Sequence, residues 1–240
     1  MNNIIKTEFK KLLQELQNQK INENILNIFS IKRSTKFNQR LMTVGRYITG
    51  AHPDCVFKFE DSAKNSEHLI SMLEYHECAM NWVSDLEDSR RKLAEGERPF
   101  STRRLPYWRV VRQVVLKGKL TTDSCWSDQT AWTNLYKLSK NGGNPSAELL
   151  AYQFESAKKI LLQEIIDAKP QNILFLTGWN NWAKPFIEDY LIDIKHINNN
   201  HICLTGTLTI GTFECNVIVA EKPYKVNESQ MSDTILELIL

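Results

Sequence analysis

Apolar positions recur at three- and four-residue steps at the start of the chain. Ile5, Phe9, Leu12, Leu13 and Leu16 share one stripe, with lysines and glutamines opposite. That spacing predicts an amphipathic helix over residues 4–20. Residues 21–35 read as a second short helix and a loop, so residues 1–36 form an N-terminal helical extension. "RLMTV" (40–44), closed by Gly45, reads as a first core strand, followed by the loop "GRYITGAHPD" (45–54). Leu69, Leu73, His76, Met80, Val83 and Leu86 predict a long helix over 66–95, ended by Gly96 and Pro99. "FSTRRLPYW" (100–108) is a loop from which Pro106 starts a helix to about Val115.

The second half alternates in the same way. "TAWTNL" (130–135) is a strand and "SKNGGNPS" (139–146) a turn segment. Asn144 as N-cap, with Pro145 at the first helical position, opens a helix to about Ala168. "NILFLTG" (172–178) is a continuous apolar strand closed by Gly178, and "NWAKPFIEDYL" (181–191) a helix with a proline near its start. Residues 201–221 hold two β runs around Gly211, the pattern of a hairpin. Asn227 with Gln230 begins a final helix. Strands that are apolar throughout imply burial on both faces. The alternation with helices implies an α/β fold: a three-layer α/β/α sandwich around a central, mainly parallel sheet. No repeat, low-complexity tract or linker interrupts it, so residues 1–240 read as a single domain.

Bulk composition narrows the classes. The chain has 240 residues and is 42% apolar, enough for a sizeable core. No apolar run approaches the roughly 20 residues that span a bilayer, and the first residues lack the form of a secretory signal. A cytoplasmic protein with no membrane contact and no obligate protein partner is expected. The five cysteines, at 55, 78, 125, 203 and 215, form no CxxC pair. This argues against a disulfide framework, a zinc ribbon and an iron–sulfur site. "HEC" (76–78) matches half of a zinc-deaminase signature, but PCxxC is missing. His52, His76, His196 and His201 have no ligand spacing, so no metal and no cofactor is expected.

Charge changes the picture more. Ten basic residues between Arg90 and Lys119 face only Glu95 and Glu97, giving +8 in a chain whose net charge is +2. A local basic stretch on a nearly neutral protein points to a polyanion. Arg103 and Arg104, paired in a loop, suit bidentate phosphate contacts; the bland alternative is a solvated helix face.

In open α/β sheets, ligands bind beyond the carboxyl ends of the strands. Those ends carry Arg46, Tyr47, Asn134, Trp179, Lys222 and Tyr224, with Tyr136 and Lys137 just after Asn134. The set is amide, aromatic and basic. It has no Ser–His–Asp grouping and no carboxylate pair. "GRYITG" does not satisfy GxGxxG, no P-loop lysine follows, and GxSxG is absent. Trp132, Trp179 and Trp182 read as core.

The order of these segments resembles the uracil-DNA glycosylase superfamily, over about residues 40–226, and is closer to its divergent bacterial members. The parts are "LMTVGRYITG", the aromatic-bearing "FSTRRLPYWRV", "AWTNLYKL" ending a strand on Asn, "ILFLTG", and a late strand running into "EKPYK". The resemblance implies a uracil-DNA glycosylase-like fold and a metal-independent enzyme. Such an enzyme flips a base out of DNA and hydrolyses its N-glycosidic bond. It implies that Asn134 reads the base edge, that Tyr107 or Phe100 stacks on the base, and that water is positioned from Arg46–Asp54. Arg46 and Tyr47 then belong to the base-binding set, and Arg103, Arg104 and Lys137 to the DNA-binding set.

The late segment departs from the family's His-Pro by reading Lys222-Pro223, and "GRYIT" lacks an acidic residue; the nearest downstream carboxylate is Asp54. N-glycosidic cleavage builds positive charge on the sugar and negative charge on the leaving base. A Lys222 ammonium would stabilise that base. Asp54, with Thr49 as the lesser candidate, would position water. The Asn134 carboxamide offers both an acceptor and donors, matching uracil or, flipped, cytosine. Expected substrates are therefore uracil or a modified pyrimidine, the hypermodified cytosines of phage DNA included, which would make the protein an antiviral enzyme. The rivals are a non-catalytic nucleic-acid-binding module and a hydrolase of free nucleosides or nucleotides.

Overall fold

In a computed structural model, which describes residues 2–18, 25–47, 56–58, 80, 83, 101–122, 125–140, 144–197 and 199–239, the first apolar stripe forms α1 (Asn3–Asn18). The stretch expected to hold a second short helix instead forms strands β1 (Ile25–Ile28) and β2 (Lys32–Arg33). β1 pairs antiparallel with both β4 (Val56–Lys58) and β6 (Leu138–Lys140), completing a three-stranded sheet. Pairing partners distant in sequence decide such short strands, and local propensity does not. The long helix expected over 66–95 lies outside the described residues, apart from Met80 and Val83, which are buried.

The larger sheet uses β3 (Leu41–Gly45), β5 (Ala131–Asn134), β7 (Asn172–Leu176), β8 (Leu191–His196), β9 (Ile202–Ile210) and β10 (Phe213–Ala220). Its seven strands run in the order β2-β5-β3-β7-β10-β9-β8. β7 and β10 are parallel, whereas β9 is antiparallel to both β10 and β8. The fold is α/β, but the sheet is mixed and not mainly parallel as expected. The cause is local: Gly211, at φ 59°, closes the β9–β10 hairpin, and a hairpin can only pair antiparallel.

The chain divides into two compact units: Met1–Lys32, Val44–Glu77 and Thr133–Lys169 in the first, and Arg33–Thr43, Cys78–Trp132 and Pro170–Leu240 in the second. In the first, the α1 stripe packs with Ile28, Leu138, Leu149 and Ile160. Leu149 and Ile160 belong to α3 (Ala147–Ala168). That helix is capped two residues later than expected. The Ser146 hydroxyl, and not Asn144, accepts the Leu149 N–H at 3.1 Å.

In the second unit, α2 (Pro106–Lys117) presents Trp108, Val110, Val111, Val114 and Val115 to a core shared with Leu174, Leu176, Ile218 and Ala220. Met231 and Ile235 join it from α5 (Glu228–Ile239). Asn227 opens α5 as expected, accepting the Gln230 N–H at 3.1 Å. The helix expected over 181–191 is present, as a π turn (Trp179–Ala183), α4 (Lys184–Ile187) and a 3-10 turn (Glu188–Tyr190) in succession, and gives way to β8 at Leu191.

Gly118 ends α2, where a Cβ would lie 2.8 Å from the Val114 carbonyl oxygen and 2.6 Å from Leu236 Cδ2. Its φ of −77° suits any residue, so helix propensity alone would favour alanine. The leucine can shift and the backbone carbonyl cannot. Gly118→Ala is expected to destabilise by about 1–3 kcal/mol in urea unfolding, the cost of overpacking; a stabilised variant would show that the turn relaxes.

Candidate functional site

The described strand ends that carry chemistry fall in both units. In the first, β5 stops at Asn134 and the chain stays tied to the segment after β3. Leu135 N–H donates to the Gly45 carbonyl at 2.9 Å, and Tyr136 N–H to the Arg46 carbonyl at 3.0 Å. Two of the expected base-binding positions, Arg46 and Asn134, are thereby brought together with Tyr136, and Tyr47 follows Arg46 directly. Tyr136 is half-buried, and this burial pushes its phenol up.

Asn134 is 1% exposed, and its Nδ2 has no hydrogen-bond partner among the described residues. The backbone just after it is tied down. Gln153 of α3 accepts from both Lys137 N–H and Leu138 N–H at 2.9 and 2.8 Å, and donates to the Leu138 carbonyl at 2.8 Å. Buried amide donors are nearly always paired in folded proteins, so an orphan invites a ligand or a water as its explanation.

Lys137, expected to meet DNA, is fully buried and paired with Glu164 at 2.6 Å. It is a correction: this ammonium is turned into the protein and presents nothing to a phosphate. Burial pushes it down from the ordinary lysine value, and Glu164 opposes that shift. The sequence reading missed Glu164 and Gln153. The available signal was a carboxylate within the buried face of α3, between Ile160, Leu161 and Ile165.

In the second unit, Tyr107 sets its ring edge-on to Trp108 at 5.0 Å, and Trp108 meets Trp132 in the same way at 4.9 Å. Its hydroxyl is buried, which raises the phenol, and Thr43 beside it acts in the opposite sense. Tyr107 thus packs against the core of this unit. The open aromatic face belongs to Tyr224, 62% exposed. Lys222 Nζ lies 5.9 Å and Lys225 Nζ 5.4 Å from its ring centroid. Arg103 and Arg104 sit on a single 3-10 turn, Thr102–Arg104, which Thr102 pins by donating to the Val83 carbonyl at 2.7 Å.

Part of the basic stretch is paired with carboxylates of the chain itself, at the surface. Arg109 makes a two-pronged contact with Glu228, both bonds 2.6 Å, which raises its pKa further. Lys117 pairs with Asp233 at 2.7 Å. Of the remaining predicted site residues, Asp54, Thr49 and Phe100 lie outside the described residues.

Cys203 donates to Glu221 at 3.2 Å; burial and that carboxylate push its thiol up to about 12, and burial does the same for Cys215. A raised thiol pKa favours the protonated form in the folded state. The stabilisation is complete below the unfolded value and is lost as pH rises through about 12. Both thiols should resist iodoacetamide in the native protein at about pH 8 and react once it is unfolded; peptide mapping by mass spectrometry reads this directly, and native alkylation would refute it.

Among the described residues no helix is long and apolar enough to cross a membrane. No protein-family model matches the chain, and no curated protein matches it.

Proposed function

We propose that the protein is a DNA glycosylase that excises uracil or a modified pyrimidine, hypermodified cytosine of phage DNA included, and leaves an abasic site. The observation that carries this reading is Asn134: a buried carboxamide, at the end of a core strand, with a donor that has no partner among the described residues. An amide so held discriminates bases by hydrogen bonding, because a wrong edge leaves the donor unpaired. Tyr224 with its two flanking ammonium groups supports the reading separately, since an aromatic face beside cations suits an unstacked base and its phosphates. The finer fold assignment, a three-layer sandwich like that of uracil-DNA glycosylases, and a cytoplasmic setting belong to the same proposal. So does the role of Lys222 in stabilising the leaving base.

The absence of a carboxylate between Arg46 and Pro53 favours a second reading, a binding module that holds a base without cleaving it. One assay separates them. Purified protein is incubated with uracil-containing DNA and with DNA carrying hydroxymethylated or glucosylated cytosine, and alkali then reveals abasic sites. Sites in one substrate, reduced in Lys222→Ala, support the glycosylase. DNA binding without sites supports the module.

A further inference from the structure

Lys137 and Glu164 are buried ions that the proposed chemistry does not use, and their hydrogen bonding is complete. The Lys137 ammonium donates to Glu164 Oε2 at 2.6 Å, to Thr133 Oγ1 at 2.9 Å and to the Asn134 carbonyl at 2.7 Å. An ammonium has three donors, and all three are placed. The carboxylate is equally filled. Oε2 also accepts the Thr133 hydroxyl at 2.6 Å, while Oε1 accepts the Ser30 hydroxyl at 3.0 Å and Ile31 N–H at 2.8 Å.

A buried ion pair is a poor way to gain stability, because desolvation offsets the attraction and an apolar pair of similar volume often does as well. What an apolar pair cannot do is hold a carbonyl. Here one of the three bonds of the ammonium ends on the backbone of Asn134 and another on its neighbour Thr133. The pair thus fixes the residue whose Nδ2 has no partner among the described residues. We propose that Lys137 and Glu164 are positioning residues, which lock the end of β5 so that the Asn134 amide is kept ready for a base edge.

This rests on the reading of Asn134 as the base-reading group, so the test has one arm that needs no activity. The double variant Lys137→Met/Glu164→Leu keeps the volume and removes both charges; Thr133→Val is a milder variant that removes one shared hydroxyl. In the first arm, the side-chain NH₂ resonances of Asn134, assigned by loss in Asn134→Ala, are recorded in 15N-labelled protein. The lock predicts that they broaden or shift in the double variant while resonances of the α2–α5 core stay in place; unchanged Asn134 resonances overturn it.

In the second arm, single-turnover excision is measured on whichever DNA the wild type cleaves. The rate is expected to fall at least about tenfold, as for small misplacements of a catalytic constellation. DNA affinity should hold within about twofold, the pattern of lost orientation and not of lost binding. Full activity in the double variant also overturns the lock. If the wild type cleaves none of the DNAs, the glycosylase reading fails and the first arm alone decides the lock. Should the double variant not fold, Thr133→Val carries both arms with the same signs.

Discussion

Glu164→Ala is expected to cost about 3–5 kcal/mol of stability, the range for breaking a buried ion pair from one side. The loss is large because one truncation strands several groups. The Lys137 ammonium loses its counter-ion in a site that is 0% exposed. The Ser30 hydroxyl, the Ile31 N–H and the Thr133 hydroxyl lose their acceptor at the same time. The double variant Lys137→Met/Glu164→Leu should lose less than the single one, because no charge is left unpaired, although the same three groups and the Asn134 carbonyl still lose their partners. Urea unfolding of the single and double variants measures the difference. Equal losses in both would mean that packing, and not charge, governs this site.

Asn134→Ala should behave in the opposite way. It removes a buried donor that has no partner among the described residues, so stability should change by less than about 1 kcal/mol. Excision should fall about 10²–10³-fold, the effect of deleting one preorganised donor from a reacting centre. This separation of stability from activity is the sign of a group kept for a ligand. A variant that unfolds readily would instead make Asn134 an ordinary core amide, and would remove the main support for the proposed function. Circular dichroism melting and the alkali-cleavage assay on the same preparation give both numbers.

The parts of the fold that could be read from the sequence were those with local signals. Pro106 at the start of α2, Gly211 at the hairpin tip and Asn227 at the start of α5 each meet a local requirement that few residue types satisfy well. β1, β2 and β8 carry no such signal. The first two are four and two residues long, and β8 is almost wholly exposed, so neither alternation nor a continuous apolar run marks them. The parallel sheet was over-read because continuous apolar strands such as Asn172–Leu176 report burial on two faces but not the direction of the neighbour.

At the candidate site, the place of Asn134 at the end of β5 was legible because an amide ends an apolar strand. Lys137 was misassigned because its partner lies 27 residues away in sequence, on another element. A lysine just past a strand reads as a surface cation until a buried carboxylate is placed opposite. Tyr224 was recognised as a strand-end aromatic, but its exposure, which sets it apart from Tyr107, follows from packing and not from local sequence.

β8 carries one consequence for how the protein behaves in company. It ends the sheet order, with Ile192 and Ile194 exposed at 47% and 40%. An apolar margin with unsatisfied backbone groups is a template onto which another chain can add a strand. Asp193, at φ 53°, and the register shift between Ile192 and Lys195 break the flatness that such addition needs. The irregularity therefore acts as a guard against self-adhesion. A straightened β8 is expected to turn crowding into a hazard.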